Sequence, residues 1–244
     1  PRNPKKEKLT QFHMDVASSI QEVTEDVMLK ITSSLAKEYN VKNLCLAGGV
    51  ALNCVANGKI LRNGEFNNIW IQPAAGDAGG SLGAALGLWH LELKKSRTIN
   101  SKDSMSGSYL GPDYSQNEVE KKLKELNINF EVLDDEQLFE KTTLELSNGK
   151  TVGWFQGRME FGPRALGNRS ILGDARSENM QKILNLKVKF RESFRPFAPS
   201  IIREDLTTWF NLNCDSPYML FVSDVASDKR RVMTEKEKAL FGID

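Results

Sequence analysis

The sequence predicts two successive α/β units, and three observations carry that expectation. Its 244 residues suit two ordinary domains, each able to bury a core. Apolar residues at helical spacing alternate with short apolar runs stopped by glycine, the grammar of α/β folds. Between two such series lies a polar stretch without apolar period, residues 97–108 ("RTINSKDSMSGS"), which reads as a linker between units at 1–96 and 109–244.

In the first unit, Leu9, Phe12, Val16, Ile20, Val23, Val27, Ile31 and Leu35 recur every three or four residues, which predicts a long amphipathic helix ending near Tyr39. A buried strand follows over Asn43–Ala47 and stops at Gly48-Gly49. "VALNCVANGKILRN" has helical spacing and a glycine stop at Gly64, "NNIWIQP" reads as a second strand, and "SLGAALGLWHLELKK" as a helix of small residues. In the second unit the pattern predicts helix 115–126, strand 128–133, helix 135–147, strand 151–155, strand 169–173 and a helix from Ser177 to Val188.

Composition narrows the function. Apolar residues are 40% and charged residues 27%, with net charge +1, the profile of a soluble globular chain. The three cysteines, Cys45, Cys54 and Cys214, are too few and scattered for a disulfide framework and form no CxxC pair, so a reducing cytoplasm is expected. No apolar run suggests a membrane span or signal peptide. Charge is local instead. Residues 158–195 hold nine Lys or Arg against four Asp or Glu, as if built to meet an anion.

Most of that charge sits on constrained backbone. "GRMEFGPRALGNRSIL" sets Arg158, Arg164 and Arg169 among three glycines and a proline, with Arg164 directly after Gly162-Pro163. "KVKFRESFRPFAPSI" adds Lys187, Lys189, Arg191 and Arg195, interleaved with Phe190, Phe194 and Phe197 at spacings that could send rings to a core and cations to one face. Arginine matches phosphate and carboxylate oxygens two at a time, so rigid arginine clusters suit a polyphosphate or acyl-phosphate pocket; a solvated basic surface or a nucleic-acid patch is the alternative. In the first unit, Gly48 and Gly49 between strand and helix let backbone amides approach a phosphate, or simply make a tight turn. Asp77, among glycines after the second strand, is placed to hold a metal ion or orient a nucleophile, or else to cap the next helix. The histidines, His13 and His90, show no pairing motif, so no complete transition-metal site is expected here.

These motifs carry a resemblance. "CLAGGVALNCVANGKIL" with "IQPAAGDAGGSLGAAL", and then "GRMEFGPRALGNRSILGDAR", "KFRESFRPFAPSI" and "SPYMLFV", resemble in order the O-carbamoyltransferases that modify nodulation factors and aminoglycoside or cephalosporin antibiotics. The match spans about residues 10–225. It implies the end of an actin-like, sugar-kinase-type ATPase domain followed by a YrdC-like α/β domain. It also implies a reaction: carbamoyl phosphate and ATP yield carbamoyl-adenylate in the YrdC-like site, and the carbamoyl group passes to a hydroxyl of a small-molecule acceptor, sugar or antibiotic-like. The implied cofactors are ATP, Mg2+ and a divalent metal, iron(II) among the options, in the actin-like unit. No nucleic-acid or membrane partner is expected, and a homodimer is the assembly considered.

Carried over residue by residue, the resemblance makes Arg164, Lys189 and Arg195 the core of the carbamoyl phosphate and ATP site. Arg158, Arg169 and Arg191 are further candidates, with structural ion pairs to Glu160 or Glu192 as their alternative. Asp77 matches a metal-binding aspartate whose partner histidines are expected upstream, and Gly48, Gly49 and Asn53 match a nucleotide-contacting loop. The chain starts at Pro1 and lacks the "LNTSFN"-like segment expected after Asp244. A fragment that does not complete the reaction alone is therefore expected. A nucleic-acid-binding module and an actin-like kinase or ATPase without carbamoyl chemistry are the competing functions.

Overall fold

The computed structural model describes residues 9–99 and 103–235, which divide into two units. One comprises the residues to Ser96 together with Leu220–Val222; the other runs from Arg97 to Met219 and resumes at Ser223.

The first unit opens with α1 (Gln11–Tyr39), closed by Asn40 in the left-handed conformation. It continues with β1 (Asn43–Leu46), a 3-10 turn at Gly49–Leu52, α2 (Cys54–Asn63), β2 (Asn68–Ile71) and α3 (Asp77–Gly87). Strands β1 and β2 pair in parallel, Asn43 opposite Asn68 and Leu46 opposite Ile71. As expected, α2 stops at Gly64, which adopts φ 72°. The long helix expected after Ser81 divides: α3 begins earlier, at Asp77, and passes into a wide π-helical turn over Leu88–Glu92.

The core of this unit is Leu44, Ile60 and Phe66, with Met28, Leu29, Ala36, Leu46 and Ile69 packed against it. The amphipathic α1 forms, yet its long apolar stripe is not the face it buries. Val16, Ile20, Val23, Val27 and Ile31 are all exposed, whereas Glu25 and Thr32 are buried. At 100° per residue the two faces lie nearly opposite each other. The reason is local: α2 and β1 cover only the Met28–Ala36 side. Glu25 is held in that contact by an ion pair to Lys59 and by Gln21 Nε2 at 2.7 Å, and these bonds keep its carboxyl below the ordinary range. Leu220–Val222 closes the unit. The Leu220 carbonyl accepts from the fully buried Asn57 Nδ2 at 3.0 Å, and Val222 N–H donates to Cys54 O at 3.2 Å.

In the second unit, α4 (Gln116–Glu125) and α5 (Asp135–Ser147) each begin at a capping box, Ser115 with Glu118 and Asp134 with Gln137. Next come β3 (Val152–Phe155) and β4 (Arg169–Leu172), paired antiparallel with Phe155 opposite Arg169. A short α6 (Met180–Ile183) runs into a π-helical turn, Leu184–Val188, and α7 (Leu206–Trp209) follows. The strand expected at 128–133 does not form. Those residues are irregular, with Ile128 and Val132 exposed, because a strand requires a partner and none pairs there among the described residues. Residues 103–108 of the polar stretch are also folded in: Met105 and Ser108 are buried, and Tyr218 donates its hydroxyl proton to Asp103. Among the described residues the architecture is mixed α/β with two small sheets. Among the described residues no helix is long and apolar enough to cross a membrane.

Candidate functional site

The first basic loop, 156–168, joins β3 to β4 and is tied at its base by Gln156 N–H to Asn168 O, 3.0 Å. Its hub is Glu160, whose side chain is fully buried. Oε1 accepts three backbone N–H groups, from Leu166 at 2.7 Å, Asn168 at 3.0 Å and Arg169 at 3.2 Å. Burial acts to raise this carboxyl, but those backbone bonds outweigh it and hold it below its ordinary value of 4.5. One anion thus folds the chain back on itself. The return requires Gly162 at φ 123° and Gly167 at φ 114°, values that side chains with a Cβ rarely adopt. Between them stands the half-buried Arg164.

A neighbouring segment braces this loop. Phe161 N–H donates to Ser108 O at 2.6 Å, Gly111 N–H to Met159 O at 2.9 Å and Tyr109 Oη to Leu166 O at 2.8 Å. Tyr218 fastens the brace, accepting from Gly107 N–H at 3.2 Å while bonding Asp103. Burial, and then the bond to Asp103, push its phenol up to about 12. Arg158 donates to Gly111 O at 3.0 Å and lies 3.6 Å from Asp113, and Arg169 lies 3.7 Å from Glu160 Oε2. The ion-pair alternative therefore holds for Arg169, and Arg158 pairs with an aspartate that sequence reasoning had not named.

The second basic loop, 189–197, leaves the π-helical turn, whose wide closure is Lys189 N–H to Leu184 O at 2.9 Å. Arg191 Nε donates to Asn185 Oδ1 at 2.6 Å and its guanidinium lies 4.9 Å from the Phe197 ring centroid. Arg195, not Arg191, pairs with Glu192, at 2.9 Å. Lys189 and Arg195 are exposed. The interleaved rings do not all turn inward: Phe190 is 84% exposed and sits at φ 50°, Phe194 is exposed, and Phe197 serves as a platform for Arg191. Beyond the loop, a cavity of about 730 Å³ is walled by Leu172, Met180, Leu184, Phe197 and Pro199, with Asp174 on its lining. Hydrogen bonds from Arg176 hold that carboxyl down to about 2.

In the first unit, the turn after β1 meets the loop after β2 through Gly48 N–H to Ala75 O, 2.9 Å. Gly48 and Gly49 are exposed at the carboxyl end of the parallel pair, the edge where open α/β sheets receive ligands. The side chain of Asn53 is engaged within the fold. It caps α2 by accepting from Ala56 N–H at 3.1 Å and exchanges hydrogen bonds with Gln21 at 2.9 and 3.2 Å. Asp77 is exposed in the first turn of α3, where the cap is Gly76, so it does not cap that helix. His13 Nδ1 accepts from Thr10 N–H at 3.1 Å and His90 Nδ1 lies 2.9 Å from Lys95 O. Among the described residues no three His, Cys, Asp or Glu side chains could hold a metal ion together. Asp77 offers one exposed carboxylate in the first turn of α3, a single ligand and not a metal centre by itself.

Sequence reasoning missed the residues that organise the loops: Asn185, Gln181, Tyr109 and Tyr218 as partners, and Glu160 as a hub. The one available signal was Asn185, a polar residue within the apolar run Ile183-Leu184-Asn185-Leu186.

Residues 2–86 match the family model of the carbamoyltransferase N-terminus, and residues 143–237 that of the carbamoyltransferase C-terminus. An uncharacterised protein of Synechocystis sp. is 54% identical over the whole of this chain, which covers 40% of that relative. Nodulation protein NolNO of Sinorhizobium fredii is 41% identical over 92% of this chain and 33% of its own length. Nodulation protein NolO of Bradyrhizobium diazoefficiens is 40% identical over 92% of this chain and 41% of its own length. The chain thus spans about two fifths or less of these curated relatives.

Proposed function

The chain belongs to the carbamoyltransferase family, and from that premise we propose that it is part of an enzyme moving a carbamoyl group from carbamoyl phosphate to a hydroxyl of a small-molecule acceptor, sugar or antibiotic-like. Water releases the phosphate of carbamoyl phosphate as inorganic phosphate and leaves carbamate. The carbamate oxygen attacks the α-phosphate of ATP, pyrophosphate leaves and carbamoyl-adenylate forms, and the acceptor hydroxyl then attacks its carbonyl, losing its proton and displacing AMP. In this reading residues 1–96 are the end of an actin-like unit and 109–244 a YrdC-like unit. The reaction proceeds in the cytoplasm, which suits the three free cysteines.

The observation that carries the reading is the pair of basic loops, each anchored by a buried polar side chain while presenting Arg164, Lys189 and Arg195 at or near the surface. Fixed cations stabilise the negative charge that develops as pyrophosphate leaves, without reorganising at the moment of reaction. Arg164, Lys189 and Arg195 bind and orient the phosphates. Phe197, over which Arg191 lies, lines the cavity whose size suits a nucleoside. Magnesium, when bound with ATP, supplies further neutralisation of its phosphates. Gly49 offers its backbone amide to a nucleotide at the other unit's sheet edge, while Gly48, whose N–H is held by Ala75 O, shapes the turn without a side chain in the way.

The test is pyrophosphate release from ATP by the full-length protein, with and without carbamoyl phosphate, for wild type and Arg195→Ala. Release that requires carbamoyl phosphate and is lost in the variant is expected. Release or hydrolysis indifferent to both would sink the assignment.

A further inference from the structure

We propose that Asn185 is the positioning residue of the second basic loop: a buried amide that aims Arg191 and Arg195 at the phosphate of the carbamoyl donor. This rests on reading that loop as the anion site.

Asn185 is 0% exposed, so it meets no ligand itself. Its Nδ2 donates to Ser193 O at 2.9 Å and to Arg195 O at 2.8 Å, while its Oδ1 accepts from Arg191 Nε at 2.6 Å. Its main-chain carbonyl accepts from Arg191 N–H at 3.0 Å. Gln181 Nε2 reaches the same loop, donating to Phe194 O at 3.2 Å and Arg195 O at 3.1 Å. Two donors and an acceptor on one short side chain are what an amide alone provides; aspartate lacks the donors and leucine lacks all three.

The loop needs such a hub because its own backbone makes no regular ladder between Phe190 and Phe197. The π-helical turn over Leu184–Val188 supplies the placement, setting Asn185 one widened turn beneath the loop. With Arg191 gripped through Nε and stacked on Phe197, its terminal nitrogens keep one orientation. Arg195, anchored at its carbonyl, keeps its Cα fixed, and its half-exposed guanidinium is steadied through Nε by Glu192 at 2.9 Å. An arginine fork recognises two oxygens at once, so its aim governs affinity more than its charge does.

The full-length protein decides this through KM for carbamoyl phosphate and kcat, measured for Asn185→Ala alone and in an Arg195→Lys background. Asn185→Ala is expected to raise KM by about tenfold and to change kcat far less, the scale of one lost charge-assisted contact. In the Arg195→Lys background, where the lysine is a flexible point charge and only Arg191 still has a fork to misdirect, the same substitution should raise KM by a clearly smaller factor, about threefold. Should Asn185→Ala fail to fold, Asn185→Ser, whose hydroxyl still donates one bond, serves for the same comparison. Equal factors in both backgrounds would show a general structural role and overturn the proposal. So would a fall in active protein with KM unchanged. If Arg195→Lys and Arg195→Ala leave KM untouched in the presence of Asn185, the anion-site reading itself has failed, and the proposal falls with it for that separate reason.

Discussion

The two basic loops of the second unit solve one problem by different chemistry. Loop 156–168 folds around a carboxylate, Glu160, that accepts three backbone N–H groups; loop 189–197 folds around an amide, Asn185, that donates to two carbonyls and accepts from one arginine. A charged hub binds backbone donors strongly but ties the loop to pH. A neutral hub is weaker per bond and indifferent to pH. The difference teaches that the hub beside Arg164 can be titrated away, whereas the amide hub beneath Arg195 cannot.

The largest expected effect breaks the charged hub. Glu160→Ala leaves three N–H groups without their acceptor and should destabilise the second unit by about 3 kcal/mol or more in chemical denaturation. The pH dependence then separates the loops. Because the folded Glu160 carboxyl lies below its ordinary value of 4.5, its contribution is complete above that pH and is lost as pH falls through the lower folded value. Stability measured from pH 7 downward should therefore fall less steeply in Glu160→Gln than in wild type, and Asn185→Ala should leave the slope unaltered. Equal slopes in wild type and Glu160→Gln would remove the contrast.

Arg195→Lys comes next. Charge is kept and the fork is lost, so affinity for carbamoyl phosphate should drop about tenfold, readable by titration calorimetry on the full-length protein. Smaller again is the latch beside the first loop. Tyr218→Phe removes the bonds to Asp103 and Gly107 at a cost of about 1 kcal/mol. In wild type, one tyrosinate should appear near pH 12 in an absorbance titration and be missing in the variant. With the folded phenol above its ordinary 10, the latch's stabilisation is present below that pH and is lost as pH rises through about 12. Least of all, Lys30→Ala, which breaks the exposed i,i+4 pair with Asp26, should change stability by no more than about 0.5 kcal/mol, since a solvated pair has no hub behind it.

Much of the fold was legible because its signals are local. Helices α4 and α5 start where Ser115 and Asp134 can cap them, and α2 stops at Gly64, within reach of any reading of neighbours in sequence. Strands β3 and β4 showed as short runs beside glycines. The strand expected at 128–133 failed for the converse reason: alternation names a side, but a strand exists only if another lies alongside it. In the candidate site the arginines were legible as a charged, constrained motif. Their partners were not. Arg195 rather than Arg191 took Glu192, and Asp113 took Arg158 across the brace at Gly111.

By itself, then, the sequence determined the order of elements, their caps and stops, and the concentration of arginine on glycine-bounded loops, all properties written within a few residues of one another. Only the tertiary structure decided which face of α1 is buried, that Asn53 turns to Gln21, and that Glu160 and Asn185 stand at the centres of the two loops. The physical reason is that periodicity and propensity describe a segment's own preferences. A buried hydrogen bond or a covered face depends on what chain geometry brings opposite, and that partner is distant in sequence or is set by how tightly the intervening turn closes.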